Sequence, residues 1–229
     1  MANLRRICAL LCVFAIAACS LEGDVDDQSG AKSGGIPVGD GFDFYVLALS
    51  WSPGYCRSQG DRANRQQCGP GTSYEWIAHG LWPQFHRGYP EFCEPGTRDR
   101  VPDAVSDGVF DIMPSSGLIA HQWRKHGACS GLDAGDYFFV TRKAYDAIEK
   151  PDIDAGRSQA FSETHNAIED AFLSANPAMP PEAIAVTCDR RFLRDVRICM
   201  KPDLSDYVSC PEVDRRHCRL PRMVVPPAN

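Results

Sequence analysis

The 229-residue sequence predicts an α+β domain cross-linked by disulfides, and three observations carry that reading. Strand-like and helix-like runs are mixed without the regular alternation that a parallel α/β fold requires. Eight cysteines lie beyond an export-type leader and the Cys19 at its edge, an even set that suits an oxidising compartment. Apolar residues make up 44% of the chain and charged residues 24%, which suits a buried core and not a disordered chain.

From the N-terminus, Arg5 and Arg6 precede the apolar run Ile7 to Ala18. A basic start, a short apolar stretch and a small-residue exit describe a signal peptide over residues 1–18. The run is too short for a mature membrane-spanning helix. Ile16-Ala17-Ala18-Cys19 resembles a lipobox, in which the cysteine is acylated; ordinary cleavage near Ala18 is the alternative. Of eleven cysteines, Cys8 and Cys12 belong to the leader, and lipidation of Cys19 would remove the odd thiol. Residues 19–40 are rich in glycine and aspartate and read as an acidic tether. The expected protein is exported, periplasmic or extracellular, and membrane-anchored where Cys19 is lipidated. Its formal charge of −6 argues against broad, non-specific nucleic-acid binding but leaves room for a local basic cleft.

The folded domain is expected over residues 41–229. Phe44 to Trp51 is apolar on both alternating faces, as in a central strand, and Pro53-Gly54 should stop it. Tyr137 to Lys150 reads as a helix ended by Pro151. Ser162 to Ala175 reads as another, with Ile168, Phe172 and Ala175 on one stripe and Asn176-Pro177 as its stop. Ala183 to Cys188 and Leu193 to Cys199 read as strands, and the proline-bearing end Val224 to Asn229 as a frayed terminus.

The chemistry concentrates in two segments, His79-Gly80-Leu81-Trp82-Pro83 and His121-Gln122-Trp123-Arg124-Lys125-His126-Gly127-Ala128-Cys129. Imidazoles and an ammonium can move protons on and off a phosphodiester without a metal. If residues 121–126 are helical, His121, Lys125, Gln122 and His126 fall at about 0°, 40°, 100° and 140°, on one side. Trp123 falls outside that arc and is expected to pack internally. His79 must arrive from elsewhere in the fold. His121, His126 and Cys129 are also potential zinc ligands, but Lys125 beside them would repel a metal, and export favours Cys129 in a disulfide. His86, His165 and His217 match neither motif and are expected to be surface or structural.

Together with Trp76-Ile77-Ala78 before the first motif and Phe44 to Cys56 upstream, these segments resemble the ribonuclease T2 family. Leu193 to Cys199, with Cys210 and Cys218, is similar to the family's C-terminal strands. The resemblance covers most of residues 42–218. It implies a central, mainly antiparallel sheet packed by helices and a metal-independent, cofactor-free endoribonuclease acting on single-stranded RNA; a monomer is expected. In the family's reaction the 2′-hydroxyl attacks phosphorus and leaves a 2′,3′-cyclic phosphate, so DNA should not be cut. By resemblance His126 is the base, His79 the acid, Lys125 the stabiliser of the phosphorane, and His121 a phosphate ligand. Trp82 would stack on a base, against the alternative of core or rim packing, and Gln84 would bond a base edge. The implied disulfides are Cys93–Cys129, Cys188–Cys218 and Cys199–Cys210, with Cys56–Cys68 as the remaining pair.

Gln122 departs from the family pattern, which commonly places glutamate there. Glutamine keeps length and hydrogen-bonding capacity but loses the charge and any proton-transfer role. The expectation is an enzyme with altered pH dependence or rate; the alternative is a catalytically weakened RNA-binding or toxin-like module. A metal-dependent phosphodiesterase is a second rival, which activity in chelator would separate.

Overall fold

A computed structural model describes residues 35–94 and 100–228 of the chain. The leader, Cys19 and most of the tether lie outside the described residues. The folded unit spans Ile36–Asn229.

Strand β1 (Phe44–Trp51) has no polar face, and all eight of its residues are buried. It pairs antiparallel with β2 (Trp76–Gln84) on one side and β5 (Phe192–Met200) on the other. Strand β4 (Ile184–Asp189) adds antiparallel to β5. Strand β6 (Met223–Val225) meets β5 in parallel at Phe192↔Val224 and pairs antiparallel with β3 (Phe161–Glu163). The result is a mainly antiparallel six-stranded sheet.

Helices α1 (Ser52–Gln59), α2 (Arg65–Cys68), α3 (Asp103–Asp107), α4 (Ser116–Lys125), α5 (Ala134–Asp146), α6 (His165–Ala175) and α7 (Pro211–Asp214) connect and cover the strands. Trp51, Trp76, Trp123, Tyr137, Phe138 and Phe172 share the main core, with Trp51 and Trp76 ring centres 4.9 Å apart. A smaller cluster contains Phe44, Val46, Cys199, Cys210 and Val213, with Trp82 packed against it.

Local signals hold where a cap marks them. Ser115 Oγ accepts the Leu118 N–H at 3.2 Å to start α4, and Asp133 Oδ1 accepts from Asp136 at 2.9 Å to start α5. The second helix therefore begins three residues before Tyr137, and it ends at Asp146. Strand β1 ends at Trp51 as expected, and Pro53 then sits in the first turn of α1, where its missing N–H costs nothing. Two expectations are corrected. The expected helix from Ser162 starts instead at His165, capped by Thr164, because Phe161–Glu163 is drawn into the sheet by Met223–Val225. The C-terminal segment is not frayed over residues 224–228, Asn229 lying outside the described residues: Val225 is fully buried, and Pro226 O accepts the Trp51 indole N–H at 2.8 Å.

Four disulfides join Cys56–Cys68, Cys93–Cys129, Cys188–Cys218 and Cys199–Cys210, the pairs implied by the resemblance. Cys93–Cys129 closes 36 residues around the segment that carries His121 to His126. Among the described residues no helix is long and apolar enough to cross a membrane.

Candidate active site

The two motifs meet across one cavity of about 310 Å³. Strand β2 brings His79, Trp82 and Gln84; α4 and its end bring His121, Gln122, Lys125 and His126. Thus all seven residues singled out for chemistry or substrate contact line the same space, while His86, His165 and His217 do not.

The position of His79 depends on an irregularity in β2. Gly80 pairs with Ala48 and Ala78 with Leu49, so His79 is an extra residue opposite a continuous β1. Alternation would place His79 and Trp82 on opposite faces of a regular strand. The bulge turns His79 to the cavity side with Trp82 and Gln84. Gly80 is required beside it: a Cβ there would collide with Gln122 Oε1 and lie 2.6 Å from Trp82 Nε1.

The helical arc expected for residues 121–126 holds only to Lys125. His126 leaves helical geometry at φ −126° and ψ −48°, although its N–H still donates to the Gln122 carbonyl at 3.0 Å. Trp123 turns into the core at 2% exposure, as expected from its place outside the arc. Gln122 is equally buried, and its Oε1 accepts the Trp82 indole N–H at 2.8 Å. The Trp82 ring stacks on His126 at 5.3 Å between centres and meets His79 edge-on at 5.4 Å. One indole therefore spaces the two imidazoles.

Electrostatics divides these histidines. Burial, reinforced by Lys125, His79 and His121, pushes the His126 pKa down to about 3, so its imidazole is neutral at physiological pH. His121, on the exposed rim, is lowered by partial burial and then by Lys125, Arg124 and His79. Lys125 Nζ lies 3.3 Å from Glu91 Oε2, and its carbonyl accepts the Phe92 N–H at 3.0 Å. Gln84 is buried, and its Nε2 donates to the Gly88 carbonyl at 2.8 Å.

Sequence reasoning missed part of the lining. Arg194 and Arg197 enter from β5, Glu212 and Arg216 from α7 and the residues after it, and Tyr89 from the loop after β2. Among the described residues they place, with Lys125, four cations against the single Glu212 carboxylate on the cavity wall. This is a local basic cleft in a chain of net charge −6. The charges of Arg194, Asp195 and Arg197 are visible in the sequence, but an antiparallel strand can face water on one side, so charge alone does not mark them as lining a functional space. Asp195 is 1% exposed, and its Oδ1 lies 3.3 Å from His79 Nδ1. A neighbouring hollow of about 360 Å³ shares His79, His121 and Arg194 with the main cavity.

Among the described residues no group of three or more His, Cys, Asp or Glu side chains is arranged to hold a metal. Cys129, one potential ligand, is bonded to Cys93.

Comparison with known proteins supplies the context. The model of the ribonuclease T2 family matches residues 42–210. A ribonuclease of Aeromonas hydrophila is 34% identical over 184 residues, covering 74% of this chain and 76% of that protein. The self-incompatibility-associated SF11 ribonuclease of Nicotiana alata superposes with a TM-score of 0.63 at 17% identity, over 82% of this chain and all of that one. A variant of the bitter-gourd seed ribonuclease, crystallised with 5′-UMP, superposes with a TM-score of 0.58 at 20% identity, over 75% of this chain and 94% of that one.

Proposed function

The chain belongs to the ribonuclease T2 family, and from that premise we propose that it is an endoribonuclease cleaving single-stranded RNA by metal-independent transphosphorylation. The observation that carries the reading is the convergence of His79, His126, His121 and Lys125 on one cation-lined cavity.

In the proposed reaction His126 takes the 2′-hydroxyl proton as the O2′–P bond forms. His79 gives a proton to the departing 5′-oxygen as the P–O5′ bond breaks. The products are a 2′,3′-cyclic phosphate and a free 5′-hydroxyl, and water attacking the cyclic ester reverses the proton roles. The neutral state of buried His126 suits a base, and the negative charge of an arriving phosphodiester would raise its pKa toward working pH. Lys125 and His121 would hold charge on the phosphorane and the scissile phosphate. Trp82 and Gln84 would contact the base; nucleotide binding by the bitter-gourd relative is consistent with such a subsite. DNA lacks the attacking hydroxyl and should remain intact.

Four disulfides suit an exported protein. We propose that the mature form is acylated at Cys19 and tethered through residues 19–40, and that the domain works as a monomer. Radiolabelled palmitate should label the wild type and not Cys19→Ala.

The test is cleavage of single-stranded RNA by the purified protein in excess chelator, beside His126→Ala, following 2′,3′-cyclic ends. Cyclic product from the wild type alone supports the reading. RNA bound but uncut across acid to neutral pH would favour the alternative, a binding module in which Gln122 has removed catalysis. Cleavage abolished by chelator would favour a metal-dependent phosphodiesterase.

A further inference from the structure

Asp195 sits in the middle of β5, opposite Ser50 of β1, at 1% exposure. Burying a carboxylate is costly unless cations or donors face it. Its surroundings are unequal. Oδ1 lies 3.3 Å from His79 Nδ1, whereas Oδ2 has no partner in hydrogen-bond geometry. Arg194 Nε and Arg197 Nη2 stand 3.4 and 4.0 Å from Oδ2 and supply charge without a directed bond. Thr187 Oγ1 from β4 engages only the Asp195 backbone, and Ser50 Oγ donates to the Arg194 carbonyl. Among the described residues, the one directed contact of this buried anion is therefore the ring of His79.

A carboxylate that accepts one ring N–H of an imidazole fixes its tautomer and orientation. Burial alone would raise the Asp195 carboxyl, but His79 and the two guanidinium groups hold it below the usual range, so it remains an anion at neutral pH. The arrangement also couples to the cavity wall, because the Arg197 guanidinium lies 5.3 Å from the Trp82 ring.

We propose that Asp195 is a positioning residue of the cleavage reaction: it accepts the Nδ1–H of His79 and so aims Nε2 at the departing 5′-oxygen. This rests on the reading of His79 as the acid. In the cleavage step the Nε2 proton passes to O5′, the P–O5′ electrons become a lone pair on that oxygen, and the ring is left neutral with Nδ1–H still held by Asp195.

Two substrates separate this role from a structural one. A dinucleotide leaves through an alkoxide that needs a proton, whereas the 4-nitrophenyl ester of a nucleoside 3′-phosphate leaves as a phenolate that does not. Asp195→Asn should lower kcat on the dinucleotide by about 10²-fold or more, the scale of lost general-acid catalysis, and leave the nitrophenyl ester within a few-fold of wild type. Equal losses on both substrates would overturn the proposal. His79→Ala measured alongside tests the underlying reading: equal losses there would remove His79 as the acid, whatever Asp195 does. Nitrogen-15 shifts of His79 in the wild-type enzyme provide a measurement independent of variant folding. A proton on Nδ1 in the neutral ring supports the proposal, and a ring protonated only on Nε2 overturns it.

Discussion

The indole N–H of Trp82 donates to Oε1 of Gln122 at 2.8 Å, tying the strand that carries His79 to the helix that leads to His126. A glutamate in place of Gln122 could accept the same bond, so the departure from the family pattern removes charge and not the connection. In Gln122→Glu the new anion should favour protonated His126 and raise its pKa from about 3. Because a base must be neutral, the acidic limb of kcat/KM should move to higher pH. Profiles of the two proteins that coincide would reject this account.

Gln122→Leu removes the acceptor and leaves the Trp82 N–H unsatisfied, at a cost of about 1–3 kcal/mol. Urea unfolding should show that loss, and kcat should fall as the spacing between the imidazoles relaxes. A variant of wild-type stability would mean that the indole finds another acceptor.

His126 also makes stability depend on pH. Its proton leaves the folded protein at about pH 3 but leaves the unfolded chain near 6.5. Between those values the unfolded state binds the extra proton, so the contribution is complete above pH 6.5 and is lost as pH falls toward 3. Urea unfolding at pH 7 and pH 4 should therefore show a smaller acid-induced loss in His126→Gln than in the wild type. Equal losses would place the titration elsewhere.

Gly80→Ala should be severe for the addition of a single methyl group. The added methyl group meets Gln122 Oε1 and Trp82 Nε1, and forcing atoms into such a packed site typically costs about 1–3 kcal/mol. Thermal unfolding and RNA cleavage should both fall, the second more steeply, because the collision lies within the catalytic spacing. Near-normal activity would show that the bulge can shift without moving His79.

Reduction should inactivate the enzyme before the sheet melts. Cys93–Cys129 anchors the chain directly after His126, and its 36-residue loop corresponds to about 4 kcal/mol of chain entropy. Paired Cys93→Ala and Cys129→Ala changes should lower RNA cleavage while far-ultraviolet circular dichroism stays native in form. Full activity without this bridge would separate catalytic geometry from it.

Much was legible in the chain itself where the signal is local. An unbroken apolar run marks β1, an even cysteine set marks a cross-linked domain, and two short motifs mark five of the cavity's polar groups. Tertiary structure decided the rest. Period-two alternation cannot reveal the bulge that puts His79 and Trp82 on one side, because the extra residue is defined only against β1. Nor can it reveal that Met223–Val225 would capture Phe161–Glu163, a pairing across about sixty residues whose strand preference is weak until both segments are brought together. Asp195 and Arg197 follow the same logic. Their charges are visible in the sequence, but a buried anion acquires meaning only from what the folded sheet sets beside it, here an imidazole from a strand more than a hundred residues earlier.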